Sequence, residues 1–200
     1  MKILAFGCLH SDQKQAQKLA DKAVRENVDL VVICGDITLG EQSTENLIGP
    51  FVKNNKKVIL VPGNHESEAT ADFLAKRYGV VNLHGYGVTY DGVGFFGCGS
   101  ATIGMHRMHE SDIYSTFKIA HDKISSSKKR IMISHVHPSG TLMEKFSEFV
   151  IGSTGVRAAI ESLKPDIMIC SHVHEAAGLE EMIGNTLLFN VGREGKIIDV

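Results

Sequence analysis

No stretch of this 200-residue chain is both long enough and apolar enough to span a bilayer. The opening Met1–Cys8 segment faintly resembles a lipoprotein signal, but its apolar run is too short for the hydrophobic region of one. These two features point to a soluble, cytoplasmic protein with no membrane partner. Charge of one sign is also scarce: the net charge of −2 excludes a strongly basic nucleic-acid footprint, though not a phosphorylated substrate held by metal instead of by Lys and Arg. The four cysteines lack the regular spacing of a disulfide framework. Cys34, Cys98 and Cys170 each close an apolar run and read as buried, reduced thiols. No internal repeat, low-complexity tract or linker is visible, so residues 1–200 read as one domain, and 43% apolar content suffices for a sizeable core.

What is present is a succession of short apolar runs that stop abruptly. Residues 3–7, 29–34 and 57–61 read as buried strands of a parallel sheet covered on both faces. Helices over roughly 43–54 and 68–78, and one capped by Ser11 or Asp12 that carries Ala16, Leu19, Ala20, Ala23 and Val24, supply the crossovers. Glycines then separate short strands at 80–83, 88–90 and 94–98, which suggests antiparallel hairpins in a second sheet. A loop rich in Gly, Ser and His at 99–110, helices near 113–124 and 155–163, and strands at 130–134, 166–170, 186–190 and 196–200 complete the chain. The pattern predicts an α/β protein with two sheets packed face to face and helices outside.

Five of these runs end in residues that bind metals or move protons. They are Cys8 and His10, Asp36 after Gly35, Asn64 and His65 after Gly63, His135 and His137, and His172 and His174. Strand ends that open into polar loops are where α/β proteins place their chemistry. Spacings of two put both members of a pair on one face if the backbone stays extended, and the ends of a parallel sheet would converge along one edge. Carboxylate, amide oxygen and imidazole together suit Mn, Fe or Zn better than Mg or Ca. For any one histidine a surface or core role is the commoner outcome; five strand ends behaving alike argue for a site. His84 and His121 read as surface residues, and the role of His137, next to Pro138, is open.

The series Cys8-Leu9-His10, Gly35-Asp36, Gly63-Asn64-His65-Glu66, His135 and Ser171-His172-Val173-His174 resembles the calcineurin-like metallophosphoesterase family. That family's pattern is Asp-x-His, Gly-Asp, Gly-Asn-His-Asp/Glu, His and Gly-His-x-His. The segment from His135 through Gly152-Ser153 and Arg157 to Asn190-Val191-Gly192 is similar to its small prokaryotic members in particular. The resemblance implies a four-layer α/β/β/α sandwich of two mixed sheets and a centre of two divalent or trivalent transition-metal ions. Carried over by position, Asp36 bridges the metals, Cys8, His10 and His174 hold the first, and Asn64, His135 and His172 hold the second. His65 would protonate or stabilise the leaving oxygen, and His106 and Arg107, in the long loop, would contact substrate. The implied activity is hydrolysis of a phosphodiester, or of a monoester, by direct attack of a metal-bound hydroxide, with a phosphorylated small molecule or nucleotide as substrate.

Two residues depart from the pattern. Ser171 replaces glycine, which matters only if that backbone needs positive φ. Cys8 replaces the first aspartate, as in the similar Gly-Cys-x-His opening of the RNA lariat debranching enzyme; Asp12 is the nearest carboxylate that could stand in. An incomplete first metal site would instead leave a binding module of the same fold with little or no activity. The sequence leaves the oligomeric state open, a homo-oligomer included.

Overall fold

The computed structural model describes residues 1–147 and 150–200. In its first sheet, β1 (Lys2–Phe6), β2 (Leu30–Cys34), β3 (Lys57–Val61) and β4 (Val81–Asn82) run parallel, and β11 (Lys196–Asp199) closes the edge antiparallel. The strand order there is β11-β1-β2-β3-β4. In the second sheet, β6 (Val93–Cys98), β7 (Lys129–Ser134), β8 (Ile167–Cys170) and β10 (Thr186–Asn190) are parallel. Antiparallel β5 (Gly87–Tyr90) and β9 (Glu180–Ile183) form its margins, giving the order β5-β6-β7-β8-β10-β9.

The layers follow from side chains alternating along each strand. On β1, β2 and β3, Ile3, Ala5, Leu30, Val32, Cys34, Ile59 and Val61 face inward, where they meet Phe95, Ile131, Ile133, Ile167, Ile169 and Phe189 of the second sheet. Their neighbours Leu4, Phe6, Val31, Ile33, Val58 and Leu60 face outward onto α1 (Gln13–Arg25), α2 (Gly49–Lys53) and α3 (Glu68–Tyr78). On the far side Phe96, Met132, Met168 and Leu188 pack under α4 (Glu110–Asp122) and α5 (Thr154–Leu163). Helix, sheet, sheet and helix therefore enclose three apolar layers, which is the four-layer sandwich. All four cysteines are free and buried, and no described helix is long and apolar enough to cross a membrane.

Several sequence expectations are corrected. The helix expected over 43–54 is confined to Gly49–Lys53, because Pro50 lacks an amide hydrogen and fits only the first turn of a helix. The strand near residue 81 joins the first sheet in parallel beside β3 instead of forming a hairpin in the second, since α3 already supplies the crossover that a parallel partner needs. Val24 is about half exposed although it falls within the apolar spacing of α1. Strand β9 was not anticipated: its burial is patchy and it is held by pairing with β10.

Candidate metal centre

Side chains that the sequence spreads over 160 residues meet where strand ends from both sheets come together. Three groups have ligand atoms within 4.8 Å of one another: Cys8, His10 and His174; Cys8, Asp36 and His135; and His10, Asp36 and His65. Asp36 belongs to two of them and Cys8 to two. The expected convergence along one edge of one sheet is corrected by this arrangement, because β1, β2 and β3 lie in one sheet and β7 and β8 in the other. The extended i, i+2 geometry also fails: Cys8, His10 and His172 have φ of 56°, 48° and 74°, so the chain curls after each strand. Curling sends His172 and His174 to different places. The His172 ring lies 4.6 Å from that of His135, and the His174 ring 5.5 Å from that of His10.

Local geometry dictates which residues flank the ligands. Gly35 has φ 78°, and a Cβ there would press on the His135 ring at 2.6 Å. A Cβ on Gly63 would overlap the Asp36 carboxylate. Ser171 keeps negative φ and takes the family's glycine position without backbone strain; its hydroxyl lies 3.2 Å from the Cys8 sulfur. The two loops that carry Asp36 and Asn64 are tied by the buried Glu66 carboxylate. Its Oε1 accepts from the amides of Gly63 (2.7 Å) and Ile37 (3.1 Å), and its Oε2 from the amide and hydroxyl of Thr38 (3.0 and 3.1 Å).

Around His135 the hydrogen bonds identify a cation position. Its Nδ1 donates to the Cys34 carbonyl at 2.8 Å, so in the neutral ring Nε2 is an acceptor. That Nε2 faces Asn64 Oδ1 at 3.1 Å and Asp36 Oδ2 at 3.3 Å, two further acceptors. Three acceptors facing one another require a proton or a cation between them. Without a cation the proton serves: burial alone would lower the His135 pKa, yet the charge and hydrogen bond of Asp36 raise it above the ordinary value. Burial likewise opposes the Asp36 charge, and His135, then His10 and His65, more than reverse this and hold its carboxyl far below the usual range. Beside them, His172 Nε2 is buried with no partner, and burial with the neighbouring His135 lowers its pKa to about 3. It is a neutral imidazole with a free lone pair, as a metal ligand must be.

The first group is softer. Burial, then the Asp36 charge, pushes the Cys8 thiol up to about 12, against the pull of the Ser171 hydroxyl. His10 Nε2 stands 3.8 Å from Asp36 Oδ2, and burial lowers its pKa. His65 lies against His10 with ring centroids 4.8 Å apart, and its amide donates to Asp36 Oδ1 at 3.1 Å.

Not every candidate joins. The His106 amide donates to the Asn64 carbonyl at 3.3 Å, so its loop rests on the site, but its ring faces Glu41 at 3.8 Å. His106 and Arg107 line a separate cavity of about 280 Å³ with Pro62, Ser67 and His84, and none of the candidate metal ligands borders it. Asp12 caps α1 through Gln15 and pairs with Arg193 at 2.5 Å, so it does not stand in for the missing carboxylate. His137 is fully buried with both ring nitrogens unpartnered, and burial lowers its pKa to about 4. His84 and His121 are not simple surface residues. His84 Nδ1 accepts from the Gly99 amide at 3.2 Å, and His121 packs edge-on against Phe96, 5.2 Å away. Sequence reasoning missed Glu66 as the tie between loops; its position directly after Gly63-Asn64-His65 was the available signal.

The family model described as calcineurin-like phosphoesterase matches residues 1–176. A search of curated protein sequences found no match. Among solved structures, the chain is similar to TT1561 of Thermus thermophilus, with a TM-score of 0.78 and 16% identity over 96% of this chain and 90% of that one. It is also similar to a dimetal phosphatase from Danio rerio (TM-score 0.64, 11% identity, 96% and 88% covered). A third similar structure is that of a novel archaeal phosphodiesterase (TM-score 0.55, 19% identity, 96% and 84% covered).

Glu66→Gln tests the loop tie. Each carboxylate oxygen accepts from two of the four donors, so the new NH₂ group would face two of them; with the Thr38 pair the hydroxyl can turn to accept, leaving one buried amide unpaired at about 1–3 kcal/mol. Urea unfolding should show a loss of that size. Metal titration should show weaker uptake, although Glu66 belongs to none of the ligand groups.

Proposed function

Since the chain belongs to the calcineurin-like phosphoesterase family, we propose that it is a metal-dependent phosphodiesterase whose centre is built by Cys8, His10, Asp36, Asn64, His135, His172 and His174. The observation that carries this reading is the trio of facing acceptors Asp36 Oδ2, Asn64 Oδ1 and His135 Nε2, which only a cation or a proton can reconcile. Two transition-metal ions, Mn, Fe or Zn, fit the donors: Asn64, His135 and His172 would hold one, Cys8, His10 and His174 the other, and Asp36 has an oxygen for each. Bound there, such a pair supplies charge stabilisation for a phosphoryl group and water made nucleophilic at neutral pH.

The remaining chemistry falls to side chains. His65 stands beside His10, with ring centroids 4.8 Å apart, and its imidazole would give a proton to the departing ester oxygen. Such a positioned acid is worth about 10²–10⁴-fold. Asp36 Oδ1 fixes the backbone of His65, so the bridging residue also orients the acid. The Cys34 carbonyl keeps Nε2 of His135 free of its proton, and the Ser171 hydroxyl is placed to stabilise a Cys8 thiolate once a cation lowers its pKa.

The direct test is turnover of bis(p-nitrophenyl) phosphate by the protein loaded with Mn, Fe or Zn, with Asp36→Asn alongside. Wild type should turn over, and the variant should lose both activity and most metal. A metal-free wild type that remains inactive under added Mn would support a binding module of the same fold.

His65→Ala should lower turnover with metal content intact, and the loss should be smaller for nitrophenyl than for alkyl leaving groups, which need the acid more. Equal losses would remove the acid role.

Cys8 supplies a soft sulfur where aspartate supplies oxygen, so the first position should favour Zn or Fe over Mn. Metal analysis of wild type, Cys8→Asp and Cys8→Ala should show Mn preference rising in the first variant and one metal equivalent missing in the second. Identical metal contents and affinities would make Cys8 a packing residue.

A further inference from the structure

His137 is wholly buried, and neither of its ring nitrogens meets a protein partner. A neutral imidazole carries one donor and one acceptor, and nearly all such groups in protein interiors are satisfied. The carboxylate whose charge reaches this ring, that of Glu144, does not serve as its partner. Glu144 Oε2 accepts from the Gly140 amide and its Oε1 from the Gly152 amide, each at 2.8 Å. The backbone that carries the ring is also fixed. The Ser153 amide donates to the His137 carbonyl at 2.9 Å, the Ser139 amide donates to the Ser153 carbonyl at 3.0 Å, and Pro138 between them has its φ set by its own ring. A Cβ on Gly152 would press on the Pro138 carbonyl at 2.6 Å, so the two segments lie in close contact.

The register of the second sheet brings His172 to the same place. Ile133 of β7 lies beside Ile169 of β8, and the Ser171 amide donates to the His135 carbonyl at 2.9 Å, so the pairing continues past both strand ends. His137 and His172 leave the two strands as diagonal neighbours. Burial and His135 do most to lower the His172 pKa, and His137 adds to the lowering, as a near neighbour does. His172 as a whole is partly exposed, yet its Nε2 is buried without a protein partner. One buried ring with unused donor and acceptor thus stands next to one buried nitrogen that also lacks a partner.

Resting on the reading of this rim as a metal centre, we infer that His137 is a positioning residue for His172: a lone pair of the His137 ring takes up the Nε2 proton of His172 across one bridging water, which leaves Nδ1 of His172 as the nitrogen for a cation. A water that joins two buried groups replaces a direct hydrogen bond at little cost. A histidine that binds metal through one nitrogen almost always gives its other N–H to an outer partner, which sets the ring's orientation and tautomer. The Cys34 carbonyl does this for His135, and His137 does it for His172. The device sits on the residue before Pro138, outside the seven ligand candidates, and it costs the centre no charge, because burial keeps His137 neutral with its pKa lowered to about 4.

Zinc is the probe, since it binds imidazole and, having no unpaired electrons, leaves nuclear resonance spectra sharp. In ¹⁵N-labelled, Zn-loaded wild type, the ring-nitrogen spectrum of His172 should place the proton on Nε2 and the metal-bound lone pair on Nδ1. The opposite tautomer overturns the assignment however the variants behave. Calorimetric titration with zinc then compares wild type with three variants. In His137→Phe, which keeps a ring and removes its polar atoms, one metal equivalent should bind about 10–100-fold more weakly and the other should be unchanged. His137→Asn and His137→Gln put an amide near one or the other ring-nitrogen position, and at least one of them should recover most of the loss, which a purely space-filling role would not allow. Unchanged affinities in His137→Phe make His137 a packing residue, and a loss that neither amide recovers assigns it another part, that of a ligand included. Either result overturns the positioning role and leaves the metal centre standing. Wild type that takes up no zinc overturns both.

Discussion

The Glu66 carboxylate is the constraint from which the site's geometry follows. It is wholly buried, and it joins the loop after β2 to the loop after β3 by four hydrogen bonds. Burial and the Asp36 charge raise its pKa, and the donors from Gly63, Thr38 and Ile37 offset part of that. Hydrogen bonds to a charged group contribute about 1.5–3 kcal/mol each, enough together to hold two loops whose backbones are otherwise unfavourable. Asp36 with φ 50° is one such residue, while Gly35 next to it takes φ 78° freely because it has no Cβ. With the loops locked, the Asp36 and Asn64 oxygens face the same imidazole and cannot relax apart.

That locking explains how so many like groups coexist. Imidazoles, a thiol and a carboxylate crowd one rim of the sandwich, where burial disfavours charge on Cys8, His10, Asp36, His135 and His172. Asp36 and His135 are the exceptions: each makes the other's charged form favourable despite burial. A single negative charge amid lone pairs is an environment completed by cations. Residues around it are specialised to keep lone pairs available, as the Cys34 carbonyl does for His135.

The chain's departures from its family have local causes and local reach. Ser171 fits because the left-handed conformation falls one residue later, on His172, and its hydroxyl meets the sulfur of Cys8. The two departures touch each other, the thiol and the hydroxyl lying 3.2 Å apart.

Much of this was legible from residues alone. The apolar runs fixed β1, β2, β3, β7 and β8 almost to the residue, because a strand buried on both faces admits little else. The Gly-Asn-His-Glu and Ser-His-Val-His strings named the ligand candidates, because few other roles call for those side chains at strand ends. Pairing partners were beyond local reading: β4 joined the first sheet because α3 carried the chain back across it, a fact of topology and not of propensity. The convergence of His10, His65 and His174, the isolation of His106 and Arg107 in another cavity, and the diversion of Asp12 to Arg193 were likewise decided by the tertiary structure. Sequence determines which chemistry each strand end can offer; which ends meet depends on how two sheets stack and how loops curl through left-handed residues, and those are distances between parts of the chain that spacing along it does not encode.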